Sequence, residues 1–204
     1  MNLIERAKAI CLSPVSEWTT IEGERAEAPA LITGYVLPLA GVAAAAQLIG
    51  LSVVGQRLGI LGTYRMPLST GIGVAVASLV FAAVGVVVMS VIIDALAPTF
   101  GAAKSRHQAL KVAVYSATPV WLAGVLQIVP ALGVVVLLGS LYALYLLYLG
   151  LPRLMKCPAE KSAGYLASVI ASAVVIGLVG NLMTGRIGSV DASVFVPVAD
   201  ISTP

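Results

Sequence analysis

Residues able to do acid–base or metal chemistry are scarce in the apolar parts of this chain. Asp94 is the acid that ends a long uncharged run, residues 66–93. An acid within a membrane-spanning helix is by default a candidate for an ion or proton site. The alternative is a structural ion pair, because Lys104, Arg106 and Lys111 follow in the next polar stretch, a candidate cytoplasmic loop. We predict the structural pair and keep the ion or proton role as the second hypothesis.

Three uncharged polar side chains lie within or near the apolar runs: Gln47, Gln127 and Asn181. Amides in such positions more often bond a neighbouring helix than a ligand. Enzyme signatures are missing, since aspartyl chemistry needs two carboxylates and the sequence has neither an HExxH motif nor a P-loop. We therefore predict no catalytic activity, no cofactor and no metal site.

The composition indicates whether the protein is surrounded by water or by lipid. Hydrophobic residues make up 59% of the 204 residues and charged residues 10%, and the mean hydropathy is +1.02. A soluble domain carries about 25% charged residues and could not hide this much apolar surface from water. The net charge of +3 does not indicate nucleic-acid binding, because no basic face carries interleaved aromatic residues. The sequence predicts an all-α integral membrane protein, with the lipid bilayer as a partner.

The longest uncharged run, residues 112–152, determines how many helices cross the membrane. As one helix at ~1.5 Å per residue, its 41 residues would be about twice as long as a ~30 Å bilayer core is thick. Pro130 and Gly133 allow this run to fold back as a tight hairpin. With the other uncharged runs it predicts a membrane domain, residues 31–184, of five transmembrane helices. They lie at about 31–54, 68–94, 111–129, 131–151 and 163–183, and a tail follows at 185–204.

The N-terminal segment, residues 1–30, is predicted to form short amphipathic helices. Leu3, Ala7 and Ile10 share one side of the first helix, and Pro14 suits the first position of the next. Trp18 lies among charged residues, which is typical of a helix at the level of the lipid headgroups, so it is a candidate for the membrane interface. Packing of this segment on the protein's own loops is an equal alternative.

The positive-inside rule predicts the orientation. Nine Lys and Arg residues lie on the side of the N-terminus and three on the other side. The N-terminus is therefore expected in the cytoplasm and the C-terminus outside. The two cysteines, Cys11 and Cys157, then face a reducing compartment and are expected to be free thiols.

Four residues of the third and fourth spans are candidates for packing or hinge roles. Tyr142, Tyr145 and Tyr148 recur every three residues, which is typical of helix packing combined with an interfacial belt. Pro119 removes a backbone hydrogen bond from the third span, and a static kink is favoured over a hinge.

Several motifs together resemble the Yip-domain family, the Ypt/Rab-interacting membrane proteins and their bacterial relatives. They are the stretch 100–124 (FGAAKSRHQALKVAVYSATPVWLAG), the early Pro14-x-x-x-Trp18-x-x-Ile21, the Tyr142-x-x-Tyr145-x-x-Tyr148-Leu-Gly-Leu-Pro152 segment, and Pro158-x-x-Lys161-x-x-Gly164-Tyr165. The resemblance covers most of residues 13–185. It implies a five-span helical bundle with a cytoplasmic N-terminus.

The resemblance also implies, for eukaryotic members, a role in vesicle traffic through small GTPases. The acidic Asp-Leu-Tyr-Gly-Pro motif of those members is replaced here by Arg25-Ala-Glu-Ala-Pro29, which argues against binding of a small GTPase and makes the chain similar to bacterial members of the inner membrane. We predict a non-catalytic scaffold or adaptor that acts through helix packing, with itself as a homo-oligomer or with other membrane proteins. The alternative is an oligomeric ion channel or small-solute transporter.

Overall fold

A computed structural model describes residues 2–25, 27–57 and 63–188, except for the side chains at 57, 159, 180, 181 and 183–188. Two helices come first, α1 (Leu3–Leu12) and α2 (Pro14–Gly23). Asn2 and Glu5 form a capping box that satisfies free N–H groups at the start of α1. Ser13 ends α1, and Pro14, which has no N–H to leave unpaired, begins α2.

Span 1 (Ala28–Val54) is a helix whose hydrogen-bond pattern changes along its length. It consists of α3 (Ala28–Leu31), a π turn (Ile32–Val36), α4 (Leu37–Ile49) and a second π turn (Gly50–Val54). Pro38 cannot donate a backbone hydrogen bond to the preceding turn, which accounts for the first irregular stretch. Short strands β1 (Gln56–Arg57) and β2 (Thr63–Tyr64) then pair antiparallel.

Span 2 (Leu68–Phe100) contains α5 (Leu68–Leu96) and a 3₁₀ turn (Ala97–Phe100). Span 3 (Arg106–Ile128) contains α6 (Arg106–Ser116), α7 (Thr118–Gly124) and a 3₁₀ turn (Val125–Ile128). Val129 has an extended backbone, as a residue before proline prefers, and the chain reverses there. Span 4 (Pro130–Met155) contains a 3₁₀ turn (Pro130–Leu132) and α8 (Gly133–Met155). Span 5 (Glu160–Val179) lies within α9 (Ala159–Gly188).

Five helical stretches are thus long and apolar enough to cross a bilayer, which confirms the prediction of an all-α integral membrane protein. Span 3 is the central one: 72% of its most apolar stretch is buried inside the protein, against 33% or less in each of the others. Spans 1, 2 and 4 contact span 3 directly, and span 5 packs on spans 2 and 4.

The outer faces of the bundle are covered with apolar side chains. Val76, Val80 and Val84 of α5 are all more than half exposed, as are Leu137 and Leu141 of α8. Exposed apolar surface of this extent is stable only against lipid. The end of the bundle at which spans 1, 3 and 5 begin and spans 2 and 4 end is called the N-terminal face below, because α1 and α2 lie on that side.

Candidate functional site

Helices α1 and α2 form a hairpin that occupies the gap between span 1 and span 4. Leu3, at the start of α1, lines the same cavity as Glu24 and Arg25, which follow α2, so the two ends of the hairpin meet at the N-terminal face. Helix α1 contacts α7 of the central span and α2 contacts α8. The hairpin thereby contacts both the central span and span 4.

The tip of the hairpin reaches far down the side of the bundle. The backbone carbonyl of Cys11 accepts a hydrogen bond of 2.6 Å from the Tyr142 hydroxyl. At 1.5 Å per residue, Tyr142 lies ~20 Å before the end of α8 at Met155. Leu12, at the tip, lines a groove together with Leu39 and Leu122, which are also well inside their spans. The N-terminal segment is therefore built into the bundle and does not lie flat across its end.

A buried ion pair connects the two helices of the hairpin. The guanidinium of Arg6 on α1 donates to the carboxylate of Glu17 on α2 and to that of Glu24 beyond it. Arg6 and Glu17 are 6% and 8% exposed. The guanidinium also lies over the ring of Tyr115 in span 3, 5.7 Å from its centroid. Burial lowers the pKa of Arg6, but its hydrogen bond and charge interactions, led by Glu24, more than offset this and the pKa is raised, so Arg6 stays charged.

Lys111 fixes the C-terminal end of α2 to the central span. Its Nζ donates to the carbonyl oxygens of Ile21, at 2.7 Å, of Glu22, at 3.4 Å, and of Glu24. A cation there satisfies carbonyls that a helix C-terminus leaves free and interacts favourably with the helix dipole. The sequence prediction placed Lys111 in the cytoplasmic loop; it lies in α6 and is 1% exposed, because the end of α2 covers it.

Trp18 anchors α2 on span 4. Its indole is 1% exposed and lies against Gly150, where a Cβ atom would be 2.7 Å from Trp18 Cζ2. The Trp18 and Tyr115 rings meet edge to face at 6.5 Å. The prediction of Trp18 at the membrane interface is therefore corrected: the indole lies inside the protein, and α2 packs on a transmembrane helix rather than on loops.

The close contact between the Trp18 ring and Gly150, called the Gly150 notch below, gives a first testable prediction. Gly150→Ala places a methyl group against a rigid ring, so we expect the hairpin to dock about 1–3 kcal/mol less favourably. Gly85→Ala is the matched control, because nothing lies within 4 Å of the Cβ that it adds to α5. Hydrogen exchange of the α2 amides measures docking; equal protection in the two variants would show that the notch does not hold Trp18.

Asp94 lies at the N-terminal face near the end of α5 and is 4% exposed. Its Oδ2 is 3.8 Å from Arg106 Nε, whereas its Oδ1 has no hydrogen-bond partner among the described residues. The Arg106 side chain is 91% exposed, so this ion pair contributes at most about 1 kcal/mol. Tyr165 of span 5 packs beside Asp94 and donates to the neighbouring carbonyl of Ile93. Lys104 is exposed in the loop before α6.

The remaining polar candidates join helices to one another. Gln47 accepts a hydrogen bond of 3.2 Å from Ser78 and so links span 1 to span 2. Pro119 is the second residue of α7, and the first, Thr118, shares a hydrogen bond of 2.9 Å with Tyr35 of span 1 next to the break between α6 and α7. Gln127 lies near the far end of span 3, half-buried, where its carbonyl meets Gly50 of span 1.

Of the three tyrosines predicted for packing, Tyr142 contacts the hairpin, whereas Tyr145 and Tyr148 lie on the outer surface of the bundle. Tyr142 holds the hairpin tip, as described above, and stacks obliquely on Tyr145 with ring centroids 5.6 Å apart. Tyr145 and Tyr148 are 45% and 50% exposed on the outer face of α8. The side chain of Asn181 lies outside the described part of the chain. Of the predicted tail, residues 185–204, the first four belong to α9 and the rest lie outside the described part.

The sequence analysis missed Arg6, Glu17 and Glu24 as candidate site residues. A single acid or base on a short amphipathic helix usually faces water, so it gave no signal alone. The available signal lay in the two predicted helices taken together: Arg6 on the first is opposite in sign to Glu17 and Glu24 on and just after the second, so the two helices could pair charges. In the described residues, no cluster of three His, Cys, Asp or Glu side chains is suited to a metal ion.

The chain was compared with protein families, characterised sequences and solved structures. The family model of the Yip1 domain matches residues 8–180. The chain belongs to the Yip1-domain family. The match begins within α1 and includes α2, so the family domain contains most of the hairpin as well as the bundle. This confirms the resemblance inferred from the sequence motifs.

Two Escherichia coli sequences are similar to this Yip1-domain protein. Both carry the name inner membrane protein YohC, one from strain K12 and one from strain O6:H1. Each is 28% identical over 147 residues, which cover 71% of this chain and 75% of the relative. No solved structure matches the chain.

Proposed function

We propose that this Yip1-domain protein is a non-catalytic scaffold or adaptor of a bacterial inner membrane, with its N-terminal face in the cytoplasm. The observation that carries the proposal is the buried connection from Arg6 to Glu17 and Glu24, together with the Lys111 cap. It fixes an N-terminal hairpin rigidly on a membrane bundle. The excess of basic residues on the N-terminal side and the name of the E. coli relatives support the location.

The use of polar groups supports a scaffold over a catalyst. Tyr35, Gln47, Tyr142 and Tyr165 all form hydrogen bonds with a neighbouring helix. Hydrogen bonds of this kind hold transmembrane helices in register. These polar groups of the interior therefore hold the helices in place, and the function depends on the surfaces that the bundle exposes.

The outer side of α2 is the surface on which a partner would be expected. Ser16, Thr19 and Thr20 are exposed there, on a helix whose inner side is fixed by Trp18. A polar face on a rigid helix costs little entropy when a partner binds, because the helix is already ordered.

Site-specific photocrosslinking in living cells tests the proposal. A photoreactive amino acid at Thr19 is expected to give a discrete crosslinked complex with another protein or a second copy. The same group at Val80, on the lipid-facing side of α5, is the control and is expected to give none. The scaffold proposal fails if Thr19 gives no complex in the cells that produce the protein.

The channel or transporter alternative is favoured by one observation, the buried and unpartnered Oδ1 of Asp94. We expect Asp94→Asn to change the free energy of unfolding by about 1 kcal/mol or less, because the pair with exposed Arg106 is weak. We also expect the protein to leave ion and proton flux into liposomes at the level of empty liposomes. Flux in the wild type that Asp94→Asn abolishes would establish the alternative and overturn the scaffold.

A further inference from the structure

A groove of about 330 Å³ runs between α1 and the spans beside it. On the hairpin side its walls include Ala7, Lys8, Cys11 and Leu12, and on the bundle side Leu39 of span 1 and Leu122 of span 3. Lys8 is the one charged residue among those that line it. The groove is separate from the Arg6 cluster, which faces the cavity on the other side of Leu3.

We propose that this groove binds one acyl chain of a membrane phospholipid, with the phosphate of that lipid held at the Lys8 ammonium group. The proposal does not depend on a scaffold function, because it concerns the lipid contact of the hairpin alone.

The apolar lining and its position point to an acyl chain. Leu12 is 70% exposed and Leu122 39% exposed, so the groove opens sideways at the depth where the spans face hydrocarbon. Apolar cavities do not hold water, and an empty groove would lose the dispersion contacts of its walls. An acyl chain is the apolar material available there.

The placement of Lys8 points to a phosphate. Ile4, Lys8 and Leu12 follow each other at intervals of four residues and form one stripe along α1. Lys8 is exposed and makes no ion pair with any residue that the structure describes. A lysine in this position extends its ammonium group toward the headgroups while its methylene stem stays on apolar surface.

The part of the groove inward of Lys8 matches the acyl chain of a lipid. Lys8 is closer to the N-terminal face than Cys11 and Leu12, which reach the level of Tyr142. A phospholipid of the leaflet on that side has its phosphate at the face and its chains directed inward. Inward of Lys8 the lining is therefore apolar, as the chains of such a lipid require, and Leu3 and Ile4 line the groove on the side of Lys8 nearer the face.

The test uses the full-length protein in nanodiscs of phosphatidylcholine with a minority of phosphatidylglycerol. The phosphatidylglycerol carries a photoactivatable group on an acyl chain, and crosslinked residues are identified by mass spectrometry. We expect labelling of α1 and of span 3 around Leu122 to exceed labelling of the exposed α5 face around Val80. We expect Lys8→Gln to lower the groove labelling about fivefold, the effect of one lysine near a membrane surface.

Lys104→Gln is the matched control, since Lys104 is an exposed lysine of the N-terminal face away from the groove. It is expected to leave groove labelling unchanged. Three outcomes would overturn the proposal: equal labelling of the groove and the α5 face, an equal loss in Lys8→Gln and Lys104→Gln, or crosslinks that join α1 to a second copy in place of lipid.

Discussion

Arg6→Met is expected to release the hairpin from the bundle. The substitution removes the partner of Glu17, which is 8% exposed, and leaves a buried carboxylate without compensation. Breaking a buried pair in this way costs about 3–5 kcal/mol. Since each 1.4 kcal/mol is a tenfold change in an equilibrium constant, the undocked population should rise by a factor of roughly 10² or more.

The two native cysteines allow this to be measured without added labels. Cys11 lies at the tip of the hairpin, and burial raises the pKa of its thiol, so the docked thiol is protonated and slow to react. Undocking removes that shift and exposes the sulfur. We expect alkylation of Cys11 to accelerate in proportion to the undocked population, while Cys157, buried in the loop before α9, keeps its rate.

A double variant controls for a general loss of stability. Replacing both buried partners, as in Arg6→Met with Glu17→Leu, leaves no buried unpaired charge, because the remaining partner of Arg6, Glu24, has a side chain that is 37% exposed. Buried ion pairs are often replaceable by apolar residues without loss. Cys11 should then react nearly as slowly as in the wild type. If the single variant leaves Cys11 protected, or if the double variant is as reactive as the single one, the ion pair does not hold the hairpin.

Trp18→Ala is expected to have an effect of similar size through packing. The indole is 1% exposed between α8 and Tyr115, and truncation of a buried tryptophan costs about 3–5 kcal/mol. Thermal unfolding in detergent and hydrogen exchange of the α2 amides should both report the loss. The exchange change should be confined to the hairpin and to the part of span 3 that it covers.

A double-mutant cycle with Gly150 attributes that loss to the notch. The three atoms nearest to the Cβ that Gly150→Ala adds all belong to the Trp18 ring, so the substitution should cost little further when the ring is absent. The two changes are therefore expected to be strongly non-additive. Additive effects would mean that Gly150 acts through something other than Trp18, and would contradict the packing described for α2.

The five spans could be predicted from the sequence because lipid imposes a simple rule on them. Every backbone polar group in hydrocarbon must form a hydrogen bond within its own helix. Long uncharged runs, with the longest interrupted at Pro130, therefore predicted five transmembrane helices. The same rule says nothing about α1 and α2, which are short and carry charges.

The placement of the hairpin could not be predicted for a physical reason. Arg6, Glu17 and Lys111 are charges that would normally face water. Their burial is tolerable only because Arg6 pairs with Glu17 and Lys111 donates to carbonyls at the end of α2. Those contacts join residues far apart in sequence, such as Lys111 and Ile21. The absent side chain of Gly150, which admits Trp18, gave no local signal either.

The central claim is that the hairpin is inserted along the bundle in the membrane, and its tip offers the most direct measurement. Benzoylphenylalanine in place of Tyr142 puts a photocrosslinker at the position that bonds the Cys11 carbonyl. Irradiation of the protein in native membranes is expected to join residue 142 to the peptide containing Cys11 and Leu12 of the same chain. Crosslinks to lipid alone, with none to α1, would show that the hairpin does not lie there and would contradict the account.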